Sequence, residues 1–152
     1  TTDQRILDNS HSDLRRSRSA SQSIVPTSTG ASNSIGIIIP ELKGKLNGVA
    51  MRVPTPNVSL IDFVFNTKKG ISISLINKAF RIAAKNKLKK IIFSTNEKLV
   101  SIDYNHSPFS AIIDESLTST IGENTGKIVA WYDNEWGFSN RMCDIVQYIH
   151  KS

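Results

Sequence analysis

The sequence predicts an α+β fold in which a mixed, largely antiparallel sheet has helices packed on one face. Several short segments alternate apolar and polar residues, as strands with one buried face do. Two longer segments place apolar residues three and four positions apart, which is the period of an amphipathic helix. The two kinds of segment do not alternate regularly, which disfavours a parallel sheet built from strand–helix–strand units. At 152 residues the chain can bury one ordinary core.

The first part of the chain, up to Ser23, is polar and predicts a long loop. The following stretch, SIVPTSTGASNSIGIIIPEL, groups hydroxyl residues before an apolar run. A helix is predicted to begin near Gly30 and to end at Pro40, because proline cannot continue a helix. Its cap is one of three hydroxyl residues, Thr27, Ser28 or Thr29.

The middle of the chain predicts two strands and a helix. The strands lie at 46–53 and 58–66, separated by PTPN. In the second strand Ile61, Phe63 and Phe65 alternate with Asp62 and Val64, which predicts one face packed in a core. The helix at 74–86 has an apolar face formed by Leu75, Ile76, Ala79, Phe80 and Ala83.

Four further strand-like runs follow: KIIFST, LVSIDY, SAIIDESLT and KIVAWYD. Turns are predicted at Asn96, at Asn105 and His106, and between Gly122 and Gly126. The chain ends in a predicted helix, EWGFSNRMCDIVQYIHKS, with Met142, Ile145 and Ile149 on one side.

Composition and charge limit the function classes. The formal net charge is +6, which favours anionic partners. Much of the excess lies in KNKLKK at 85–90, where no aromatic residue is interleaved, so the solvated end of a helix is favoured over a nucleic-acid surface. No apolar run approaches the roughly 18 residues of a membrane span. The single cysteine, Cys143, lies in an apolar helical pattern and predicts a core or semi-buried thiol in a reducing, cytoplasmic setting.

PTSTGASNS is the clearest local signal for a binding site. A helix N-terminus exposes unpaired backbone N–H groups, so hydroxyls and a glycine there can hold phosphate. Arg15, Arg16 and Arg18 on the preceding loop strengthen this interpretation, since a guanidinium binds phosphate in bidentate fashion. A plain helix cap is the alternative. A second anion is predicted at Arg52, for which a surface arginine at a stiff, proline-rich turn is the alternative.

WYDNEWGF, at 131–138, holds both tryptophans of the chain around Asp133, Asn134 and Glu135. Two carboxylates and an amide cannot be buried without partners, so the stretch is either a strand end turning into a helix or part of a site. The histidines have spacings that suit neither a metal site nor an obvious acid–base pair: His11, His106 and His150.

Five ordered motifs resemble one known family. They are DQRILD, DLRRSRSA, PTSTGA, ELKGKLNGVAMRVPTPNVS and WYDNEWGFSNR. Together they resemble the C-terminal, catalytic domain of glyceraldehyde-3-phosphate dehydrogenase, from Thr1 to the final helix. Erythrose-4-phosphate dehydrogenase is a close relative that the same motifs fit.

The resemblance implies a chemistry. In that family a Rossmann domain binds NAD or NADP, a cysteine attacks the aldehyde of glyceraldehyde 3-phosphate, and a histidine assists proton removal. Hydride leaves to the nicotinamide, and inorganic phosphate releases the acyl group. Carried over by motif, the contacts to inorganic phosphate are Arg16, Thr29 and Gly30. The group that holds the substrate's own phosphate and hydroxyl is Thr1, Asp3 and Arg52, and the resemblance places Arg52 near enough to serve both anions.

The resemblance also implies a cofactor contact and a domain plan. Asn134 resembles the residue that bonds the nicotinamide carboxamide, and Phe138 stands where many members have tyrosine beside that ring. Residues 1–134 correspond to the catalytic domain, and 1–22 resemble the S-shaped loop that reaches a neighbouring subunit's cofactor in a tetramer. That loop is predicted to be mobile without its partners. Residues 135–152 form a helix expected to pack on a nucleotide-binding domain.

Some family features have no counterpart in this sequence, namely the glycine-rich dinucleotide motif, the catalytic cysteine and the catalytic histidine. The chain is therefore expected to be a fragment that is inactive by itself. Asn9 and Ser10 stand where NAD-specific members often have Leu-Pro, which leaves NAD and NADP both open. The alternative function is a free-standing, basic anion-binding or interaction module without catalysis.

Overall fold

The computed structural model describes residues 4–151, except for the side chains of Ser32 and Asn33. The chain divides between Pro56 and Asn57 into two compact units. All strand pairs are antiparallel except one, and helices lie between the strands, which confirms the predicted α+β class with a mixed, largely antiparallel sheet. Among residues 4–151, none of the helices combines the length and apolar character that a membrane span requires.

The first unit is built on a two-stranded antiparallel sheet. Residues 4–24 form no helix or strand, as the polar sequence predicts. The elements that follow are β1 (Val25–Ser28), α1 (Ala31–Ile38), a short 3-10 helix (Pro40–Leu42) and β2 (Val49–Arg52). The predicted strand at 46–53 is thus shorter in the structure, because β1 offers it only a short partner.

Hydrogen bonds close the N-terminal loop on itself. The backbone N–H of Ala20 donates to the carbonyl of Arg5, and that of Asn9 to the carbonyl of Ser17, both at 2.8 Å. The carboxylate of Asp8 accepts from the backbone N–H of Ser19 at 2.7 Å. Ala20 is buried, so the end of this loop is anchored in the first unit.

The second unit contains a four-stranded sheet in the order β3-β6-β5-β4. Its strands and helices are β3 (Ser59–Asn66), α2 (Ile73–Lys85), β4 (Ile92–Thr95), a 3-10 helix (Ser101–Tyr104), β5 (Ala111–Ile121), β6 (Thr125–Tyr132) and α3 (Trp136–Lys151). Only β4 and β5 are parallel, and a register irregularity interrupts the β5–β6 pairing between Asp114 and Ser119.

The sheet has a cluster of buried apolar side chains on each face. Ile113 belongs to one cluster and Ile112 to the other, because successive strand residues point to opposite faces. The first cluster includes Ile76 of α2, the helix that packs on β4 and β5. The second includes Val58 and Tyr104, which places the 3-10 helix at the opposite face.

The buried side of α2 differs from the predicted one. Ile76 is buried as expected, but Leu75 is exposed. Asn77 is buried instead, and its amide donates to the carbonyl of Glu115 while its oxygen accepts from the hydroxyl of Thr118. A fully hydrogen-bonded polar side chain can occupy a core position, and hydrophobic periodicity alone does not reveal it.

The prediction of a strand at LVSIDY is wrong, since Ser101–Tyr104 form a 3-10 helix. The Asp103 carboxylate accepts a hydrogen bond from the backbone N–H of Val100 at 2.8 Å. Such a local side-chain bond stabilises a turn in competition with strand pairing.

Two burial predictions are also wrong. Ile61 and Phe63 are exposed, because β3 lies at the edge of the sheet, and of the predicted face only Phe65 packs against the core. Cys143 is exposed on α3 rather than semi-buried. The apolar residues of α3 around it are themselves exposed, so no residue between 57 and 151 covers that side of the helix.

Candidate functional site

One group of predicted site residues lies where β1 passes into α1. Gly30 is the N-cap of α1, and Thr29 precedes it. The Thr29 hydroxyl accepts a hydrogen bond from the backbone N–H of Ala31 at 3.2 Å, so of the three candidate hydroxyls it is Thr29 that satisfies the helix start. Thr27 and Ser28 lie in β1. A Cβ at Gly30 would meet no atom within 4 Å, so this helix start is open.

Arg16 belongs to a turn of the N-terminal loop whose backbone is held on both sides. Its N–H donates to the carbonyl of Asp13 at 3.0 Å, and its carbonyl accepts from the amide of Gln4 at 3.1 Å. The guanidinium Nε lies 4.0 Å from the Asp13 carboxylate, and the side chain is 27% exposed. Arg18, in contrast, is 68% exposed and pairs with Asp8 at 3.4 Å.

Arg52 is the last residue of β2 and pairs with Val25 in the two-stranded sheet. Thr29 lies just beyond the other end of β1. At about 3.3 Å per residue, the Cα atoms of Arg52 and Thr29 are about 13 Å apart along the ladder. The structure therefore places Arg52 at one end of the two-stranded sheet and the Thr29–Gly30 pair just beyond the other end. Thr1 and Asp3, the other predicted substrate contacts, lie outside the described residues.

The second group lies in the other unit, at the corner where β6 turns into α3. Asn134 is exposed, and its Oδ1 accepts a hydrogen bond from the hydroxyl of Ser59 at 3.4 Å. Phe138 is 65% exposed four residues later. The backbone N–H of Gly137 donates to the carbonyl of Asp133 at 3.0 Å, so a helical turn spans Asn134 before α3 begins. Asn134 and Phe138, four residues apart, therefore lie on one side of the α3 start.

Asp133 organises this corner. Its carboxylate is buried, with the residue only 1% exposed. Oδ1 accepts from the backbone N–H groups of Glu135 at 3.1 Å and Trp136 at 2.8 Å, as the side chain of a helix N-cap does. Oδ2 accepts from the backbone N–H of His106 at 2.8 Å and from the side-chain amide of Asn57 at 2.9 Å.

These donors change the acidity of Asp133. Burial by itself raises the pKa of the carboxyl group, because the charged form loses solvation. Hydrogen bonds from the N–H groups of Trp136, His106 and Glu135 and from the Asn57 amide outweigh burial and lower the pKa below its ordinary value of 3.8. The corner is therefore built around a carboxylate that stays ionised at neutral pH.

Aromatic contacts and strained backbone surround the same corner. The ring of Trp136 lies 4.8 Å from that of His106, and Trp131 stacks on Tyr104 at 5.4 Å. His106 and Val58 both have positive φ angles, of 62° and 69°. Such angles are disfavoured for residues with a Cβ and most of all for β-branched valine, so surrounding contacts must hold both residues in place.

The sequence analysis missed two of the residues that build this corner. The sequence predicts Asn57 as the end of the PTPN turn and Ser59 as a strand residue, although each contacts the 133–134 pair. For Asp133 a signal was available, since an aspartate three residues before a helical pattern is a strong N-cap candidate. For Asn57 no local signal exists, because its partner lies 76 residues away.

The other titratable groups add no further centre. Within residues 4–151 no cluster of three histidine, cysteine or acidic side chains has the geometry to hold a metal ion. The ring of His11 is used locally, accepting a hydrogen bond from the backbone N–H of Asp13 at 2.9 Å.

Comparison with known proteins gives a family and a set of relatives. The family model for the C-terminal domain of glyceraldehyde 3-phosphate dehydrogenase matches residues 1–134. The chain is 54% identical over 150 residues to chloroplastic glyceraldehyde-3-phosphate dehydrogenase B of Pisum sativum, covering 98% of this chain and 33% of the relative. It is 51% identical over 149 residues to the glyceraldehyde-3-phosphate dehydrogenase of Geobacillus stearothermophilus, covering 98% of this chain and 44% of the relative.

The chain thus spans between a third and a half of the length of these relatives. The match includes the first unit, with Thr29, Gly30 and Arg52, and it ends at Asn134, at the corner before α3. The chain belongs to the glyceraldehyde-3-phosphate dehydrogenase family, of which it carries the C-terminal domain.

Proposed function

We propose that this chain is the catalytic-domain portion of a phosphorylating, NAD- or NADP-dependent glyceraldehyde-3-phosphate dehydrogenase of glycolysis or gluconeogenesis. The observation that carries the proposal is the family match over residues 1–134. The names of the relatives favour glyceraldehyde 3-phosphate over erythrose 4-phosphate as the substrate. Inorganic phosphate is then the second substrate. The cytoplasmic location remains a prediction, since the relatives include a chloroplastic protein and bacterial ones.

Two anion sites belong to this proposal. Arg16, Thr29 and Gly30 bind inorganic phosphate, and Arg52, with Thr1 and Asp3, binds the phosphate and hydroxyl of the substrate. The start of α1 supports the first site, because the helix dipole favours an anion there and a Cβ at Gly30 would meet no atom within 4 Å. Thr29 and Arg52 lie about 13 Å apart along the β1–β2 ladder, and the proposal assigns them to two anions that lie side by side.

The α3 corner is the proposed contact to the nicotinamide of NAD or NADP, the group that accepts hydride when bound. The residues fit such a ring: Asn134 offers an exposed primary amide, and Phe138 an exposed aromatic face on the same side of the helix. Because Ser59 donates to Oδ1 of Asn134, the Nδ2 group is left to donate to a carboxamide oxygen.

The rest of α3 and the N-terminal loop are proposed contacts in the full-length homotetramer. Apolar side chains recur at helical spacing along α3 and are half exposed or more: Phe138, Met142, Ile145, Val146 and Ile149. A nucleotide-binding domain is the proposed cover for this face. Residues 1–22 are proposed to reach a neighbouring subunit, with Leu7 and Leu14 exposed for contact.

The 152-residue chain by itself is expected to bind anions but not to oxidise an aldehyde. Its single cysteine, Cys143, lies exposed on α3, in the other unit from the two proposed anion sites. Covalent catalysis in the proposed reaction therefore depends on residues that the rest of the full-length protein would supply.

Phosphate titration of the chain tests the anion sites. Calorimetry should give weaker phosphate binding by about tenfold or more in Arg16→Ala, since a charge-assisted hydrogen bond is lost. Arg52→Ala should abolish the second, independent site. Arg18→Ala is the matched control, because this nearby arginine is exposed and already paired with Asp8. Unchanged phosphate affinity in both test variants would contradict the proposed sites.

A further inference from the structure

The start of β3 and the start of α3 are joined by two side-chain hydrogen bonds. Asn57 Nδ2 donates to Asp133 Oδ2 at 2.9 Å, and Ser59 Oγ donates to Asn134 Oδ1 at 3.4 Å. The two donors flank Val58, and the two acceptors are consecutive. The segment 57–59 therefore forms hydrogen bonds to Asp133 and Asn134, the two residues at which β6 turns into the helix.

We infer that Asn57 and Ser59 are positioning residues for Asn134, with Asn57 fixing the corner through Asp133 and Ser59 setting the direction of the Asn134 amide. This inference rests on the proposed contact between Asn134 and the nicotinamide. Neither positioning residue needs to touch the cofactor.

Asn57 acts through a carboxylate that cannot move freely. The same Asp133 side chain caps α3 through the N–H groups of Glu135 and Trp136. A shift of the carboxylate therefore shifts the start of α3, and Asn134 lies between Asp133 and the two residues whose N–H groups donate to that carboxylate. Asn57 is fixed in its own place, since its Nδ2 also donates to Asn105 Oδ1 at 2.7 Å.

Ser59 acts on the amide directly. A primary amide has an acceptor end and a donor end, and a rotation by half a turn exchanges them. The hydroxyl of Ser59 engages the oxygen, which turns the NH₂ group of the exposed Asn134 away from β3. A ligand at this corner is thereby offered a donor, which is what the carbonyl oxygen of a carboxamide requires.

The backbone between the two positioning residues supports this role. Val58 has a φ of 69°, which is strained for a β-branched residue. It is nevertheless buried, in the cluster with Tyr104 and Ile112. Packing thus holds Val58 in a conformation that places Asn57 and Ser59 towards the corner, and such strain is a frequent property of functional sites.

Cofactor binding by the full-length enzyme that contains this chain tests the inference. The affinity for NAD should fall about fivefold in Ser59→Ala and about tenfold in Asn57→Ala, corresponding to one or two lost hydrogen bonds. The affinity for ADP-ribose, which lacks the nicotinamide, should stay within twofold of the parent. Ser59→Thr should restore NAD binding, because it retains the hydroxyl.

A matched control lies at the other end of the same two strands. There the hydroxyl of Thr125 donates to Asn66 Oδ1 at 2.8 Å, so Thr125→Val removes an equivalent bond far from the corner and should leave both affinities unchanged. If Ser59→Ala weakens NAD and ADP-ribose equally, or weakens neither, the positioning role is refuted.

Asn134→Ala separates this inference from the proposed function. Loss of NAD affinity in Asn134→Ala, with no change in Asn57→Ala and Ser59→Ala, would overturn the positioning role alone. No change in Asn134→Ala would overturn the cofactor contact itself and the positioning role with it. Ser59→Ala keeps the test valid if Asn57→Ala does not fold, because it removes only one hydroxyl.

Discussion

The side-chain amide of Asn57 donates a hydrogen bond to Asp133 Oδ2 across 2.9 Å, joining two residues that lie 76 positions apart. The other oxygen of the same carboxylate caps α3. One buried aspartate thus connects the beginning of an edge strand to the beginning of the last helix. The stability of the second unit and the geometry of its proposed cofactor contact therefore depend on the same side chain.

Asp133→Ala is expected to destabilise the second unit by about 3 kcal/mol. The change removes a helix cap, which costs about 0.5–2 kcal/mol, and leaves buried donors without an acceptor, which costs about 1–3 kcal/mol. Both tryptophans belong to this unit, so urea unfolding followed by their fluorescence measures its free energy of unfolding. Asp144→Ala is the control on the same helix: its carboxylate is 55% exposed in a pair with Arg141, and its loss should cost about 0.5 kcal/mol or less. Equal effects of the two changes would contradict the role of Asp133.

Acid should destabilise the second unit through Asp133. The folded-state pKa lies below the unfolded value of 3.8, so the contribution to stability is complete above that value and is lost as the pH falls through the folded pKa. Tryptophan fluorescence in urea, repeated from pH 6 down to pH 3, should show the free energy of unfolding falling below about pH 4. The free energy of unfolding of Asp133→Asn should be lower than that of the parent at pH 6 and should decrease less between pH 6 and pH 3. A variant that follows the parent curve in parallel would exclude Asp133 as the source.

Alkali should act through Tyr104. Burial raises the pKa of its hydroxyl above 10.0, and the charges of Asp114, Asp103 and Glu97 raise it further. The contribution of Tyr104 to stability is fully present below the pKa of the unfolded state and is lost as the pH rises through the higher pKa of the folded state. The reason is that the folded protein disfavours the ionised tyrosine. The hydroxyl has no hydrogen-bond partner in the described part of the chain, so Tyr104→Phe should be nearly neutral at pH 7.

The measurement for Tyr104 is the free energy of unfolding between pH 7 and pH 11. Tyr104→Phe should lose less stability than the parent over this range while keeping the stacking of the ring on Trp131. Tyr148→Phe is the control, because Tyr148 is 75% exposed. A loss of more than about 1 kcal/mol at pH 7 in Tyr104→Phe would mean that the buried hydroxyl is well bonded after all.

Periodicity in the sequence predicted the elements whose cause is local. The alternation in β3 and the helical spacing in α2 and α3 gave the right element at nearly the right bounds. Periodicity could not predict the burial of Asn77 or the hydrogen bond from Asn57 to Asp133. Both depend on partners that lie 38 and 76 residues away in the sequence. The predicted burial of Cys143 on α3 was wrong for a related reason. An apolar pattern indicates that one face of a helix is to be buried, but it does not identify the element or partner that buries it.

For the candidate site, too, some features could be predicted from local sequence and others could not. The hydroxyl cluster and the nearby arginines indicated an anion from their chemistry alone. The position of Arg52 at a strand end indicated a second anion, and the resemblance assigned Arg16, Thr29 and Gly30 to inorganic phosphate. The pairing of β1 with β2, in contrast, is not readable from either strand. The structure places Arg52 at one end of that short ladder and Thr29 just beyond the other end, and the proposal of two separate anions draws on this placement.

Gly137→Ala should destabilise the second unit, although alanine favours a helix over glycine by about 1 kcal/mol. Gly137 is buried at the start of α3, and a Cβ there would lie 2.9 Å from the backbone carbonyl oxygen of Phe109. Backbone atoms cannot rotate away as a side chain can, so the helix start must shift, at a net cost of about 1–3 kcal/mol. Urea unfolding followed by tryptophan fluorescence measures this cost. Ser139→Ala, exposed in the same turn, is the control and should change stability little; stabilisation by Gly137→Ala would show that α3 does not rest on Phe109.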